Sequence, residues 1–312
     1  MMRLRELYII AGPTASGKTA AAIALAKEIG GEIVSADSMQ IYKYMDIGTA
    51  KPTAEEMGGV PHHLLDVALP DEAFSVAEYC ALAGEAIGDI KTRGKVPILV
   101  GGTGFYINAV LYGTQFAESE AGQHAEDNRL RDEYMQLAKE KGAVFLHELL
   151  HAKDPASAEA IHANNVKRVA RALAFCEVTG GLFSAYNAAQ KTSRKAQYDA
   201  SFNVITLPRE VLYERINQRV LAMWDAGLPE EVGGLLAQGY APGLVAMQGI
   251  GYKEVVPFIE GHQTKDETIA RIQQATRNYA KRQETWFRHQ ADGARWVDVQ
   301  GKNPQDVVNA IL

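Results

Sequence analysis

Cysteine is nearly absent from this sequence: only Cys80 and Cys176 occur, far apart and in no metal-ligand spacing. That argues against a disulfide framework and a structural zinc site, and it fits a reducing compartment. Long apolar runs are missing as well. Residues 1–10 hold only a short one, too brief for the apolar core of a signal peptide. No stretch reaches the roughly 18 apolar residues that a membrane helix needs. A cytoplasmic protein without a membrane role is expected. Basic charge is not in excess, since 32 Lys and Arg stand against 38 Asp and Glu, a net charge of −6. Such a chain has no overall attraction to nucleic acid, so any partner of that kind must be held by local basic patches. Internal repeats and low-complexity segments are lacking too.

What remains is ordinary globular chemistry. The chain has 312 residues, 47% hydrophobic and 22% charged, enough for one large domain carrying an insertion, or for two domains. Apolar runs at residues 7–11, 32–35, 97–100 and 203–207 are separated by stretches of helical spacing. That alternation belongs to a parallel sheet covered on both faces, so the expected fold class is α/β and doubly wound. From about residue 115 to 200 the strand signals stop. Asp154 before Pro155 reads as a helix start, and Asn165 as the cap of a helix closed by Gly180 and Gly181. The chain thus divides into a core at 1–114, a helical insertion domain at 115–200, and the rest of the core at 201–312. In that last part, helices at 211–226, 229–238 and 266–289 precede a short strand near 295–299.

The sharpest local signal follows the first strand. Gly12-Pro13-Thr14-Ala15-Ser16-Gly17-Lys18-Thr19 matches G-x-x-x-x-G-K-[ST] in full, with a strand before it and a helix, residues 20–29, after it. This makes the core P-loop NTPase-like. Glycines let backbone N–H groups turn inward around phosphate oxygens, the helix N-terminus adds positive potential, Lys18 adds a charge, and Thr19 can ligate Mg²⁺. The loop is suited to a di- or triphosphate. It does not identify the donor: nucleotide kinases, NTPases and pyrophosphate-releasing transferases can all use it.

Two further turns lie at strand ends. Asp37, in Ser35-Ala36-Asp37-Ser38-Met39-Gln40, should face the crevice outside the carboxyl end of the second strand. It is either a base, or a turn-capping or metal-linked carboxylate. Thr103, inside Gly101-Gly102-Thr103-Gly104, ends the strand at 97–100 in the same way. Its glycines mark either close backbone approach or a tight strand-to-helix turn. The pair His62-His63 lacks the spacing of a helical metal site and reads as structural.

Taken in order, residues 12–19, 35–40, 45–52, 62–66, 101–106, 246–254 and 281–288 resemble the motif series of the bacterial tRNA dimethylallyltransferases, the IPP transferase family. The resemblance runs over nearly the whole chain. Residues 116–127 fit it poorly, and Arg171-Ala172-Leu173-Ala174 departs from the family's usual Arg-Ala-Leu-Glu, which puts a local salt bridge in doubt. The resemblance implies transfer of the dimethylallyl group of dimethylallyl diphosphate to N6 of adenosine 37 in tRNA, with release of pyrophosphate. It further implies a monomer that binds the anticodon stem-loop with Mg²⁺ as cofactor. On that reading Asp37 takes the amine proton, Thr103 positions a reactant, and Arg209, starting a helix after the strand at 203–207, joins Lys18 and Thr19 on the leaving group. Arg215 and Arg219 are weaker candidates for that role.

The RNA contacts the resemblance implies fall on Asp37, Ser38, Met39, Gln40 and Thr103. They continue on Lys167, Arg168, Val169, Ala170 and Arg171, and on Gln248, Gly249, Ile250, Gly251, Tyr252 and Lys253. At the C-terminal helix they include Lys281, Arg282, Gln283, Trp286 and Arg288. At 100° per residue Arg277, Lys281 and Arg288 fall within roughly 40° of one another, a basic face, while Ile272, Tyr279 and Trp286 gather on another side. Trp286 is thus either a stacking platform or a core residue.

Overall fold

A computed structural model describes residues 4–114, 121–192 and 195–312. Its elements run β1 (Leu7–Ala11), α1 (Lys18–Ile29), β2 (Gly31–Ser35), α2 (Ala54–Met57), β3 (His62–His63), α3 (Val76–Thr92), β4 (Val96–Gly101) and α4 (Gly104–Leu111). Five helices follow: α5 (Ala121–Lys141), α6 (Ala143–Lys153), α7 (Pro155–Ala160), α8 (Val166–Thr179) and α9 (Phe183–Thr192). The chain then continues through β5 (Ala200–Thr206), α10 (Arg209–Asp225), α11 (Leu228–Ala237), a single 3-10 turn at Ala246–Gln248, and α12 (Tyr252–Ile259). Last come α13 (Lys265–Gln290), β6 (Arg295–Asp298) and α14 (Pro304–Ile311).

Two compact units result, residues 114–195 and the remainder. The larger unit is an α/β fold around one parallel six-stranded sheet of order β3-β2-β4-β1-β5-β6. β1 lies between β4 and β5 and is buried along its whole length, which is why it reads as an unbroken apolar run. Helices cover both faces: Ile10, Leu25 and Ile98 belong to one core cluster, Ile9, Leu99 and Ile107 to another. A two-residue strand such as β3 has no periodicity to read and was not expected. Gly31 opens β2 opposite Val96 on β4, and a Cβ there would lie 2.7 Å from the Val96 carbonyl oxygen. Residues 116–120, where the sequence fits the family poorly, lie outside the described residues.

The smaller unit has its own core, with Leu146, Leu150, Val169, Leu173 and Phe183 buried together. Asp154 is its polar centre. Its side chain, 1% exposed, accepts from Ser157 N (3.1 Å) and Oγ (2.6 Å) at the start of α7 and from Ser184 N (2.8 Å) and Oγ (2.7 Å) in α9. One carboxylate therefore holds the N-terminal turns of two helices. Burial raises its pKa, but these four bonds outweigh it and hold the group below its ordinary 3.8. A depressed pKa contributes stability above the unfolded value that is lost as pH falls through the folded one. We expect Asp154→Ala to cost this unit about 3 kcal/mol. Hydrogen exchange across α6–α9 at pH 7 checks it; unchanged protection would contradict the assignment.

Candidate active site

The phosphate loop leaves β1 and turns on two unusual backbone positions. A Cβ at Gly12 would stand 2.8 Å from the Ile205 carbonyl oxygen, so only glycine lets the loop pass β5. Gly17 takes φ 89° as the N-cap of α1. The first N–H groups of α1 have no acceptor inside the helix and open toward the crevice as an anion seat. Thr14 N donates instead to Gln283 Oε1 on α13 at 2.9 Å, and Gln283 Nε2 donates to Gly102 O at 3.0 Å. This buried amide ties the phosphate loop to the turn after β4. Desolvation pushes Lys18 down to about 8, with the Asp37 carboxylate opposing and Arg219 adding to the fall.

Asp37 lies just past β2. Its Oδ1 accepts from Met39 N at 2.9 Å, an Asx turn that fixes the carboxylate. Among the described residues no other hydrogen bond to protein holds it. Thr103 Oγ1 accepts from Ser38 N at 3.1 Å, and Thr103 N donates to Ala36 O at 3.2 Å, so the two turns are bonded to each other. Below them Tyr79 Oη donates to Ser35 O at 3.0 Å while its ring stacks on Tyr106 at 4.1 Å. Sequence reasoning missed Tyr79, which has no motif of its own.

Two cavities open here. The first, about 460 Å³, runs along the phosphate loop past Thr19, Ser35, Gln40 and Arg215. The second, about 320 Å³, is lined by Met39, residues 248–253, Ile272, Tyr279 and Arg282. Six residues line both: Thr14, Lys18, Asp37, Thr49, Ala50 and Arg219. A carboxylate and two cations thus stand where the chambers adjoin. Oxygen donors suited to a hard cation line the first chamber, among them the Thr19 hydroxyl and the Asp37 carboxylate. Mg²⁺ keeps several waters and takes one or two protein oxygens beside substrate phosphates, so this donor set fits it. No group of three or more His, Cys, Asp or Glu that could cage a metal occurs among the described residues.

Several residues chosen from sequence stand elsewhere. Arg209, the first residue of α10, is exposed and lines neither chamber. Arg215 and Arg219, further along the same helix, do: Arg219 Nη1 stands 3.5 Å from Thr14 Oγ1. Tyr252 is fully buried, its hydroxyl bonded to Glu231 at 2.6 Å, and Gln283 is occupied by the two loops. Both are buried, and both form part of the wall of the second chamber. Trp286 packs over Gly104, where a Cβ would lie 2.1 Å from its ring, and edge-on to Phe287, so it is a packing residue. Val169 and Ala170 face the core of the helical unit, as the helical period of α8 requires. Arg277 is held by Asn217 Oδ1 at 2.6 Å and by Gln274. Of the other basic residues chosen from sequence, Lys167, Arg168 and Arg171 on α8, Lys253 on α12, and Lys281, Arg282 and Arg288 on α13 are exposed. Gln248 is exposed, Ser38, Met39, Gln40, Gly249 and Ile250 are half-buried, and Gly251 is buried, all around the chambers. His62 Nδ1 bonds Val60 O and His63 Nε2 bonds Glu32, both at 2.8 Å.

Comparison with known proteins gives this geometry relatives. The family model described as IPP transferase matches residues 40–290. A tRNA dimethylallyltransferase of Exiguobacterium sp. is 49% identical over 97% of this chain and 93% of its own. One from Lachnoclostridium phytofermentans is 48% identical over 93% and 90%. Among solved structures, the full-length tRNA isopentenylpyrophosphate transferase of Bacillus halodurans superposes with a TM-score of 0.72 at 40% identity, covering 98% of this chain and 94% of that one. A eukaryotic dimethylallyltransferase described as acting on tRNA gives 0.76 at 27% identity, over 95% and 74%. Motif order, sheet topology and these near-complete matches agree, and the chain belongs to the IPP transferase family.

Proposed function

We propose that this enzyme transfers the dimethylallyl group of dimethylallyl diphosphate to N6 of adenosine 37 in the tRNA anticodon stem-loop, releasing pyrophosphate. The observation that carries the reading is the set of six residues common to both chambers, which puts a proton acceptor and two cations between two separate approaches. The diphosphate lies along the phosphate loop in the first chamber. The adenine, extruded from its loop because a stacked base is out of reach, enters the second, whose rim carries Gln248, Lys253 and Arg282.

The chemistry then divides between the chambers. An adenine amine is a weak nucleophile, its lone pair delocalised into the ring. The N6–carbon bond forms as the Asp37 carboxylate takes one amine proton, and the allylic carbon–oxygen bond breaks with its electron pair leaving on pyrophosphate. Lys18 and Arg219, with Arg215 beside them, stabilise that charge, the role Arg209 was expected to share. Thr19 would help hold Mg²⁺, which would supply further neutralisation of the charge on the leaving group. Thr103, bonded to the turn that carries Asp37, positions the carboxylate. The exposed cations of α8 and α13 hold RNA phosphates, which reconciles a net acidic chain with a nucleic-acid substrate. The protein acts as a cytoplasmic monomer.

The rival is phosphoryl transfer by a P-loop kinase. To separate them, the protein and Mg²⁺ are incubated with dimethylallyl diphosphate and tRNA, with dimethylallyl diphosphate and AMP, and with ATP and AMP, and products are followed by mass. A dimethylallyl adduct on tRNA is expected. Phosphorylation of AMP, or prenylation of AMP in preference to tRNA, would overturn the reading.

A further inference from the structure

The wall that both chambers share at Thr49 and Ala50 belongs to a loop, residues 46–51, with no strand or helix of its own. Three successive backbone N–H groups of this loop converge on one carboxylate. Glu231 Oε2 accepts from Asp46 N at 2.8 Å and Ile47 N at 2.7 Å, and Oε1 accepts from Gly48 N at 3.0 Å and from the Tyr252 hydroxyl at 2.6 Å. Glu231 sits in the first turn of α11, where a negative charge is favoured. Tyr252 is fully buried with its ring on Gly48; a Cβ there would come within 2.4 Å of it.

The other end of the loop is anchored as firmly. Lys51 Nζ, on a side chain 6% exposed, donates to Tyr42 O (2.9 Å), Asp46 Oδ1 (2.5 Å) and Asp66 Oδ1 (2.6 Å). Between the anchors Ala50 adopts φ 49°, a conformation non-glycine residues keep only when their surroundings impose it. Held so, the Thr49 and Ala50 carbonyls accept from Gln40 Nε2 at 3.2 and 3.1 Å, and Gln40 Oε1 accepts from Ser35 Oγ at the end of β2. A chain of direct bonds therefore runs from Glu231 through the loop to the segment carrying Asp37. Glu231 itself lines neither chamber.

We propose that Glu231 is a positioning residue for the reaction: with Tyr252 it latches the 46–51 loop to the 248–252 segment and so fixes the two walls of the second chamber against each other. This rests on the reading above, in which that chamber receives the acceptor base. A carboxylate suits the task because only an ionised group accepts four bonds without presenting a donor to the N–H groups.

Glu231→Gln keeps the size but turns one oxygen into a donor, and Tyr252→Phe keeps the ring on Gly48 while removing one bond. Both are made in the full chain. Steady-state constants are measured for tRNA and dimethylallyl diphosphate separately, with amide hydrogen exchange at residues 46–48 and thermal midpoints. For Glu231→Gln we expect kcat/KM for tRNA to fall about 10–100-fold, as misplaced binding walls do. The KM for dimethylallyl diphosphate should stay within about twofold, with faster exchange at 46–48; Tyr252→Phe shifts the same quantities less. Equal losses for both substrates that track a lowered midpoint would make Glu231 a structural staple and overturn the proposal. So would unchanged tRNA constants beside an active wild type. A wild type that transfers no prenyl group to tRNA overturns the functional reading, and the latch with it.

Discussion

Asp37→Ala lowers single-turnover prenyl transfer by about 10²-fold or more while the affinity for dimethylallyl diphosphate is retained. The expectation follows from what holds the carboxylate: one oxygen is committed to the Met39 N–H and the group lines both chambers. Asp37→Asn sharpens the test. Asparagine keeps an oxygen for the Asx turn but cannot take a proton, so a turn-capping role predicts near-normal turnover and a base predicts a loss close to that of Ala. Rate by quenched mass analysis and donor affinity by calorimetry separate the two. An asparagine variant at full rate would remove Asp37 as base.

Removing the Lys18 charge is the second large effect. Lys18→Met should lower kcat/KM for the diphosphate donor by about 10²–10³-fold, the range seen when a preorganised stabiliser of departing charge is deleted. The pH dependence has a definite sign. Lys18 titrates at about 8 because burial disfavours its charged form. In the free enzyme the cation is present below that pH and lost above it, so kcat/KM for the donor falls as pH rises through about 8. With the diphosphate bound, its charge favours the ammonium, and kcat holds to higher pH. Lys18→Arg should remove this alkaline limb, since a guanidinium does not titrate there. Arg219→Ala belongs to the same series and should cost clearly more than Arg209→Ala. A profile flat through pH 9, or an equal loss at Arg209, would contradict the assignment.

The phosphate loop and most of the sheet were legible because their signals are local. Gly12, Gly17, Lys18 and Thr19 act within one turn of chain, and β1, β4 and β5 are buried runs flanked by turn residues. The choice among arginines on α10 was not legible. Relative to Arg209, Arg215 and Arg219 lie about 120° and 80° round the helix, and within about 40° of each other. Sequence gives that phase but not which side meets the loop; only packing of α10 on α13 decides it. Tyr252 and Gln283, in the blocks at 246–254 and 281–288, have packing roles that the motifs did not indicate, and Trp286 takes the core role of the two open to it. They fill spaces above Gly48, between Thr14 and Gly102, and above Gly104, in each case partnering residues more than 180 positions away. A motif marks constraint, and whether the constraint comes from RNA or from a distant glycine is settled in three dimensions.

The order of strands also bears on how the chain comes together during synthesis. β1 pairs on one side with β4, made within the first 101 residues, and on the other with β5, which begins at Ala200. Until the ribosome has passed residue 206, an apolar central strand keeps one ladder of N–H and C=O groups unmatched, the hazard carried by any open strand edge. Gln283, which brackets Thr14, emerges later still. Closure of this sheet is therefore a long-range event that waits on the helical unit being made in between, and such non-local pairings are the slow ones. A nascent chain stalled before β5 carries the whole phosphate loop without the β5 ladder beside it and without Gln283 across it.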